Sequence, residues 1–181
     1  MVKVITISGK AKHGKDSAAN IIKDNLSEGG ANVIIIHFAD YLKYVCKQYF
    51  GWNGEKDEEG RTILQYIGTD IVRKKYPNFW ADTVIRLINA ICDDDCCVII
   101  PDCRFKNEVF AMKDNFNSVS VNVIRKNFDN GLTEEQKNHP SERDLDNFHF
   151  DYVIESESGL DKLYVEVNKF LEEYKILNKG E

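Results

Sequence analysis

The chain has 181 residues, enough for one domain with a sizeable core. Its 43% hydrophobic and 11% aromatic content excludes wholesale disorder, and no apolar run approaches the ~20 residues of a membrane span. The net charge of −6, without a long basic stripe, argues against binding a nucleic acid polymer and still allows a local cationic pocket for a phosphorylated small ligand.

In chain order, Val2 to Ser8 alternates and is rich in β-branched residues, which predicts a strand. Gly9 to Gly14 is a polar turn, and from Lys15 onward Ala18, Ile21, Ile22 and Leu26 recur at helical spacing until Gly29-Gly30. Val33 to Ile36 is a short apolar run, as expected of a strand covered on both faces. Tyr41, Leu42, Val45 and Cys46 mark a second helix, and the polar, acidic stretch Gly51 to Gly60 a loop. Ile63, Leu64, Ile67 and Ile71 mark a helix ending near Pro77, and Trp80, Val84, Leu87, Ile88 and Ile91 the next. After the turn Asp93 to Asp95, Cys97 to Ile100 reads as a buried strand, Phe105 to Met112 as a helix and Val119 to Ile124 as a strand. Lys126 to Asn147 is charged and aperiodic, a long loop or small excursion of the kind that often carries function. Tyr152 to Ile154 is the last strand. The last helix shows Leu160, Leu163, Tyr164, Val167, Phe170, Leu171 and Tyr174 on one face, with Ser158 and Asp161 at cap-like positions.

There is no repeat and no linker, so residues 1–181 read as a single α/β domain. Five strands alternating with helices predict a parallel sheet covered on both faces. Ligands in such sheets sit beyond the carboxyl ends of the strands, here after Ser8, Phe38, Ile100 and Ile124. The N-terminus lacks the shape of a signal peptide. The five cysteines (Cys46, Cys92, Cys96, Cys97, Cys103) match no paired zinc-ligand spacing and read as reduced thiols, so a cytoplasmic protein without a membrane partner is expected.

Gly9-Lys10-Ala11-Lys12-His13-Gly14-Lys15-Asp16-Ser17 matches the phosphate-loop pattern G-x-x-x-x-G-K between a strand and a helix. Its glycines let backbone N–H groups face an anion, the helix N-terminus adds positive potential, and Lys15 is expected to bridge the β- and γ-phosphates of ATP. Gly9, Lys12, His13, Gly14, Lys15, Asp16 and Ser17 are thus the ATP-binding candidates. Asp16 stands where a hydroxyl residue commonly ligates magnesium, and a carboxylate is itself a good ligand for Mg²⁺. The competing account is a glycine turn with Asp16 as a helix cap.

The second constellation is Ile100-Pro101-Asp102-Cys103-Arg104, a buried strand ending in a carboxylate with an arginine two residues on. Asp102 is a candidate for Mg²⁺ or its waters and for substrate orientation, and Arg104 for a bidentate phosphate contact. A helix cap and a surface ion pair are the structural alternatives. The aperiodic loop supplies Arg125, Lys126, Lys137, His139, Ser141, Glu142 and Arg143. Phosphoryl transfer needs positive charge over the transferred group with water excluded, so Arg125 and Arg143 join Lys15 and Arg104 as catalytic candidates. The middle of the chain supplies Arg61, Gln65, Thr69, Asp70, Arg73 and Trp80. Arg61, Gln65, Thr69 and Arg73 follow at four-residue steps and can share a face. Trp80 reads as core more readily than as a base-stacking platform, and Arg73 as a partner of a helix C-terminus.

The chain resembles the phage-type deoxynucleoside monophosphate kinases over almost its full length. The resemblance rests on Ser8-Gly9 through Ser17, Leu64 to Asp70, Ile100 to Arg104 with Asn107-Glu108, His139 to Glu142, Asp151 to Ile154, and Gly159-Leu160 with its helix. It implies a three-layer P-loop NMP-kinase-like fold, ATP with Mg²⁺, and a deoxynucleoside monophosphate acceptor. It implies that Lys15 and Asp16 serve ATP and metal and that Asp102 and Arg104 face the acceptor. It further implies an acceptor-binding region at about 39–90 and a lid at about 126–147. Ser141-Glu142 with Leu145 to Phe148 is also similar to animal-type phosphomevalonate kinases, whereas Gly68-Thr69-Asp70 favours the nucleotide kinases. A P-loop switch acting through a protein partner is the reading from another class. A homodimer is compatible with the sequence.

Overall fold

A computed structural model describes residues 2–55, 57–157 and 159–173. Five parallel strands form one sheet in the order β2-β3-β1-β4-β5: β1 (Lys3–Ser8), β2 (Asn32–Ile35), β3 (Cys96–Ile100), β4 (Asn117–Arg125) and β5 (Tyr152–Ser156). Each crossover is helical, so the phosphate-loop strand β1 lies at the centre of the sheet and its carboxyl end opens between β3 and β4.

The apolar period of each helix decides which face it covers. Helices α1 (Lys15–Glu28) and α8 (Leu160–Glu173) bury Ala18, Ile22 and Leu26 with Leu163, Val167 and Phe170 against Ile5, Ile7, Val121 and Val123. Helices α4 (Phe79–Ile91) and α5 (Lys106–Asn115) bury Ala81, Val84, Ile88, Val109 and Met112 against Val4, Val98 and Ile100 on the other face. β3 is buried throughout, as its unbroken apolar run predicts. β2 carries a similar run but lies at the sheet edge. Val33, Ile34 and Ile35 are therefore only half-buried, although they pack to both faces. Ser158 and Tyr174 lie outside the described residues.

A third apolar cluster lies beyond the sheet. Helix α2 (Ala39–Tyr49) supplies Leu42 and Cys46, which meet Trp52, Ile67 and Trp80. Here the structure departs from simple periodicity. Helix α3 (Glu58–Gln65) starts within the stretch expected to be loop, because Asp57 accepts the Gly60 N–H at 2.8 Å as an N-cap. It then widens into a π-helix over Tyr66–Arg73. Within that wider turn the Gly68 carbonyl accepts the Trp80 indole N–H at 3.0 Å, and a Cβ on Gly68 would lie 2.5 Å from Leu42 Cδ2. The aperiodic segment after β4 folds into two short helices, α6 (Glu134–Asn138), capped by Thr133, and α7 (Pro140–Arg143), capped by His139 Nδ1. No described helix is long and apolar enough to cross a membrane.

Candidate active site

The phosphate loop leaves β1 through two backbone positions that only glycine adopts freely. Gly9 has φ +143°, and a Cβ there would stand 2.4 Å from the Val123 carbonyl oxygen, so the loop lies directly on β4. Gly14 is left-handed, with φ +95°, and turns the chain into α1. Lys15 opens that helix with its side chain folded inward. It is 8% exposed and donates to the Lys10 carbonyl at 2.9 Å. Burial, and then the nearby Arg104 guanidinium, lower its pKa to about 7. An anion placed beside it favours the charged form of the ammonium.

Beyond β3, Asp102 spans to the start of α2. Its Oδ1 accepts the Phe38 N–H at 2.9 Å and its Oδ2 the Ala39 N–H at 3.0 Å. Arg104 reaches back to β1, where Nη1 donates to the Gly9 carbonyl at 3.2 Å and pairs with Glu142 Oε1 at 2.8 Å. The other oxygen of Glu142 accepts the Ala11 N–H of the phosphate loop at 3.2 Å, and that carboxylate is only 7% exposed. Lys10 holds the same segment through the Glu142 carbonyl and the Asp146 carboxylate. A carboxylate is thus seated between a phosphate-loop amide and Arg104, with one oxygen on each.

These groups open onto one cleft of about 370 Å³. The cleft brings together Lys12, Lys15, Asp16, Asp102 and Arg104 with Arg61, Gln65, Thr69, Arg73 and Trp80 from the middle of the chain. The four-residue steps from Arg61 to Arg73 keep facing it despite the change to π-helix. Their chemistry there differs. Among the described residues the Arg61 guanidinium has no protein partner. The Arg73 guanidinium is committed to Glu108 Oε1 at 2.6 Å, Asn107 Oδ1 at 3.3 Å and the Pro77 carbonyl at 3.1 Å, and lies 3.8 Å over the Phe105 ring. Trp80 is 4% exposed with its N–H on Gly68, so it forms part of the cleft's packed floor.

The remaining candidates lie outside this cleft lining. Gly9, Gly14 and Ser17 belong to the backbone and first turn of the loop and α1. His13 Nδ1 accepts the Arg125 N–H at 3.2 Å, and burial lowers its pKa. The Arg125 guanidinium lies 4.0 Å over Phe128, whose ring meets His13 edge-on, beside the phosphate loop. Arg143 is exposed, bonded to Asn138 and 3.7 Å from Asp146, and Asp70 is exposed on the π-helix. A larger cavity of about 570 Å³, lined by Lys3, Cys97, Lys113 and Asp151, lies at the amino ends of the strands, away from the phosphate loop.

Sequence reasoning missed His37 and Lys43. His37 lies two residues after β2, at a strand end where a ligand site is expected, and this was the available signal. Its Nε2 is 3.8 Å from Asp16 and its Nδ1 3.3 Å from Asp40. Asp16, followed by Asp102 and Asp40, raises its pKa. Lys43 donates to Asp40 at 3.0 Å at the same rim. No group of three or more metal-ligating side chains occurs among the described residues. Mg²⁺ does not require one, since it binds through one or two carboxylates together with substrate phosphates and water. Asp16 at the cleft rim, and the unused lone pairs of Asp102, fit that mode.

A comparison with curated proteins gives no match. Among solved structures, APS kinase from Mycobacterium tuberculosis in complex with AMPPNP and APS aligns with a TM-score of 0.53 at 13% identity, over 94% of this chain and 97% of that one. Shikimate kinase from Aquifex aeolicus vf5 aligns with a TM-score of 0.52 at 12% identity, over 96% of this chain and 98% of that one. A gluconokinase from Sinorhizobium meliloti 1021 gives 0.51 at 10% identity, over 97% of each chain. These likenesses show the fold, the five-stranded parallel α/β architecture of P-loop kinases. A family model described as deoxynucleotide monophosphate kinase matches residues 33–167.

Proposed function

The chain belongs to the deoxynucleotide monophosphate kinase family, and on that premise we propose that it transfers the γ-phosphoryl group of ATP to a deoxynucleoside 5′-monophosphate. The observation that carries this reading is the single cleft uniting the phosphate loop and Lys15 with Arg104. The Glu142 carboxylate, seated between the Ala11 N–H and Arg104, marks a position between the two that accepts anionic oxygen.

In this mechanism the phosphate-loop amides and Lys15 bind the β- and γ-phosphates. Arg104, with Arg61, which has no protein partner among the described residues, holds the acceptor phosphate. One of its oxygens attacks the γ-phosphorus as the bond to the β,γ-bridging oxygen breaks. The nucleophile is already anionic, so no general base is required, and the chain's work is alignment and charge neutralisation. Mg²⁺, held by Asp16 and Asp102, would supply further neutralisation of phosphate charge. The segment 126–147 acts as the lid: Glu142 yields its seat when substrates bind and Arg143 brings added positive charge, while Arg125, at the end of β4, adds charge from the sheet side. The region 39–90 receives the acceptor.

The test is ADP release with ATP and Mg²⁺ against dTMP, dGMP, dCMP, dAMP, the ribonucleotides and phosphomevalonate. Strong stimulation by one or more deoxynucleotides is expected. Stimulation by phosphomevalonate alone would overturn the acceptor and keep the phosphate-loop chemistry. ATP binding without stimulation by any acceptor would overturn the kinase reading.

A further inference from the structure

Arg104 begins its work from a sharp turn between β3 and α5, and a turn by itself leaves a long side chain several directions. Glu108, one helical turn into α5, removes that freedom. Its Oε2 accepts two successive backbone N–H groups, Arg104 at 2.8 Å and Phe105 at 3.1 Å. The Phe105 bond is the reach-back of a helix N3 glutamate. The Arg104 bond goes further, because it fixes the peptide carrying the functional guanidinium. The carboxylate is 2% exposed, and a buried charge of this kind persists only when paired and fully bonded. Arg73 is that partner. Its Nη2 lies 2.6 Å from Glu108 Oε1, and its Cζ lies 3.8 Å from the centre of the ring of Phe105, the other residue of the same turn. Burial pushes the Glu108 carboxyl up, and Arg73 and the two amides oppose that shift. Arg73 is also the last residue of the π-helix that lines the cleft, so the pair ties the acceptor-side wall to the peptide of Arg104.

We propose that Glu108, braced by Arg73, is the positioning residue of Arg104: it aims the guanidinium at the Gly9 carbonyl and the anionic seat above the phosphate loop. Arg73 then acts on the acceptor through Glu108 and Arg104 and not by touching phosphate. The catalytic consequence rests on the reading that Arg104 meets the acceptor phosphate. The geometric consequence does not, because Arg104 also holds Glu142, and Glu142 accepts the Ala11 N–H.

Glu108→Gln keeps the size of the side chain but presents an N–H₂ group to a set of donors. It is expected to lower acceptor kcat/KM by about tenfold to a hundredfold, the scale for misplacing a reacting contact by about an ångström, while ATP affinity stays within about threefold. In the Arg104→Ala background the same substitution should cost nothing more, because there is no guanidinium left to aim. A Glu108→Gln loss that persists undiminished in that background, or an ATP affinity that falls in step with turnover, overturns the proposal. Arg73→Lys, which keeps the charge but not the planar fork, should show a smaller loss with the same dependence on Arg104, and it replaces Glu108→Gln in the cycle if that variant does not fold. The second readout is the Ala11 amide resonance in ¹⁵N-labelled protein without nucleotide. Arg104→Ala and Glu108→Gln should each shift it in the same direction, and the double variant should match Arg104→Ala. An unmoved Ala11 amide in Glu108→Gln, or two shifts that add, overturns the positioning role. If the wild type shows no acceptor-dependent turnover, the functional reading falls and the amide cycle still decides the geometric one.

Discussion

Lys15→Met has a pH signature that follows from burial. The ordinary lysine pKa of 10.5 is lowered to about 7 by desolvation and then by Arg104. At about 1.4 kcal/mol per pKa unit, charging this ammonium in the folded protein costs roughly 5 kcal/mol. Between about pH 7 and 10.5 the unfolded chain binds more protons than the folded one, so wild-type stability rises with pH through that window and the full cost is present below about pH 7. Methionine keeps an apolar stem of similar length and takes up no proton, but it loses the 2.9 Å bond to the Lys10 carbonyl, worth about 1 kcal/mol. Lys15→Met should therefore exceed the wild type by roughly 4 kcal/mol near pH 6 and by roughly 1 kcal/mol near pH 9, while losing turnover. Urea unfolding of both proteins without nucleotide, at about pH 6, 7.5 and 9, measures the difference directly. A stability difference that stays constant across these pH values would refute the burial argument.

Arg104→Ala should lower acceptor kcat/KM by about a hundredfold, the scale of a lost charge-assisted phosphate contact, with ATP affinity within about threefold by calorimetry. Arg61→Ala should raise the acceptor KM without changing the unfolding midpoint, whereas Arg73→Met strands the buried Glu108 carboxylate and should cost roughly 3–5 kcal/mol in chemical denaturation. Gly68→Ala drives a Cβ to 2.5 Å from Leu42 Cδ2 beneath the cleft and should cost about 1–3 kcal/mol, read from the same unfolding curves.

Short stretches of this chain carry their own local structure. An alternating run ending in Gly9 through Ser17 specifies a strand, an anion-binding turn and a helix, because glycine freedom, backbone N–H direction and helix period are local properties. The apolar run into Pro101-Asp102 likewise specified a buried strand with an acid at its carboxyl end, and the alternation of periods specified a parallel sheet. Which partner each polar group keeps depends on the assembled fold. Arg61 and Arg73 share one helical face in the sequence, yet Arg73 meets a carboxylate 35 residues further along the chain and Arg61 meets none among the described residues. Trp80 became part of the cleft floor because a π-turn in another helix offers it the Gly68 carbonyl. Glu142, one acid among many in an aperiodic loop, reached the phosphate loop from 131 residues away. A buried charge must find its opposite wherever the fold brings one close, and that pairing is a property of the assembled layers and not of any one segment.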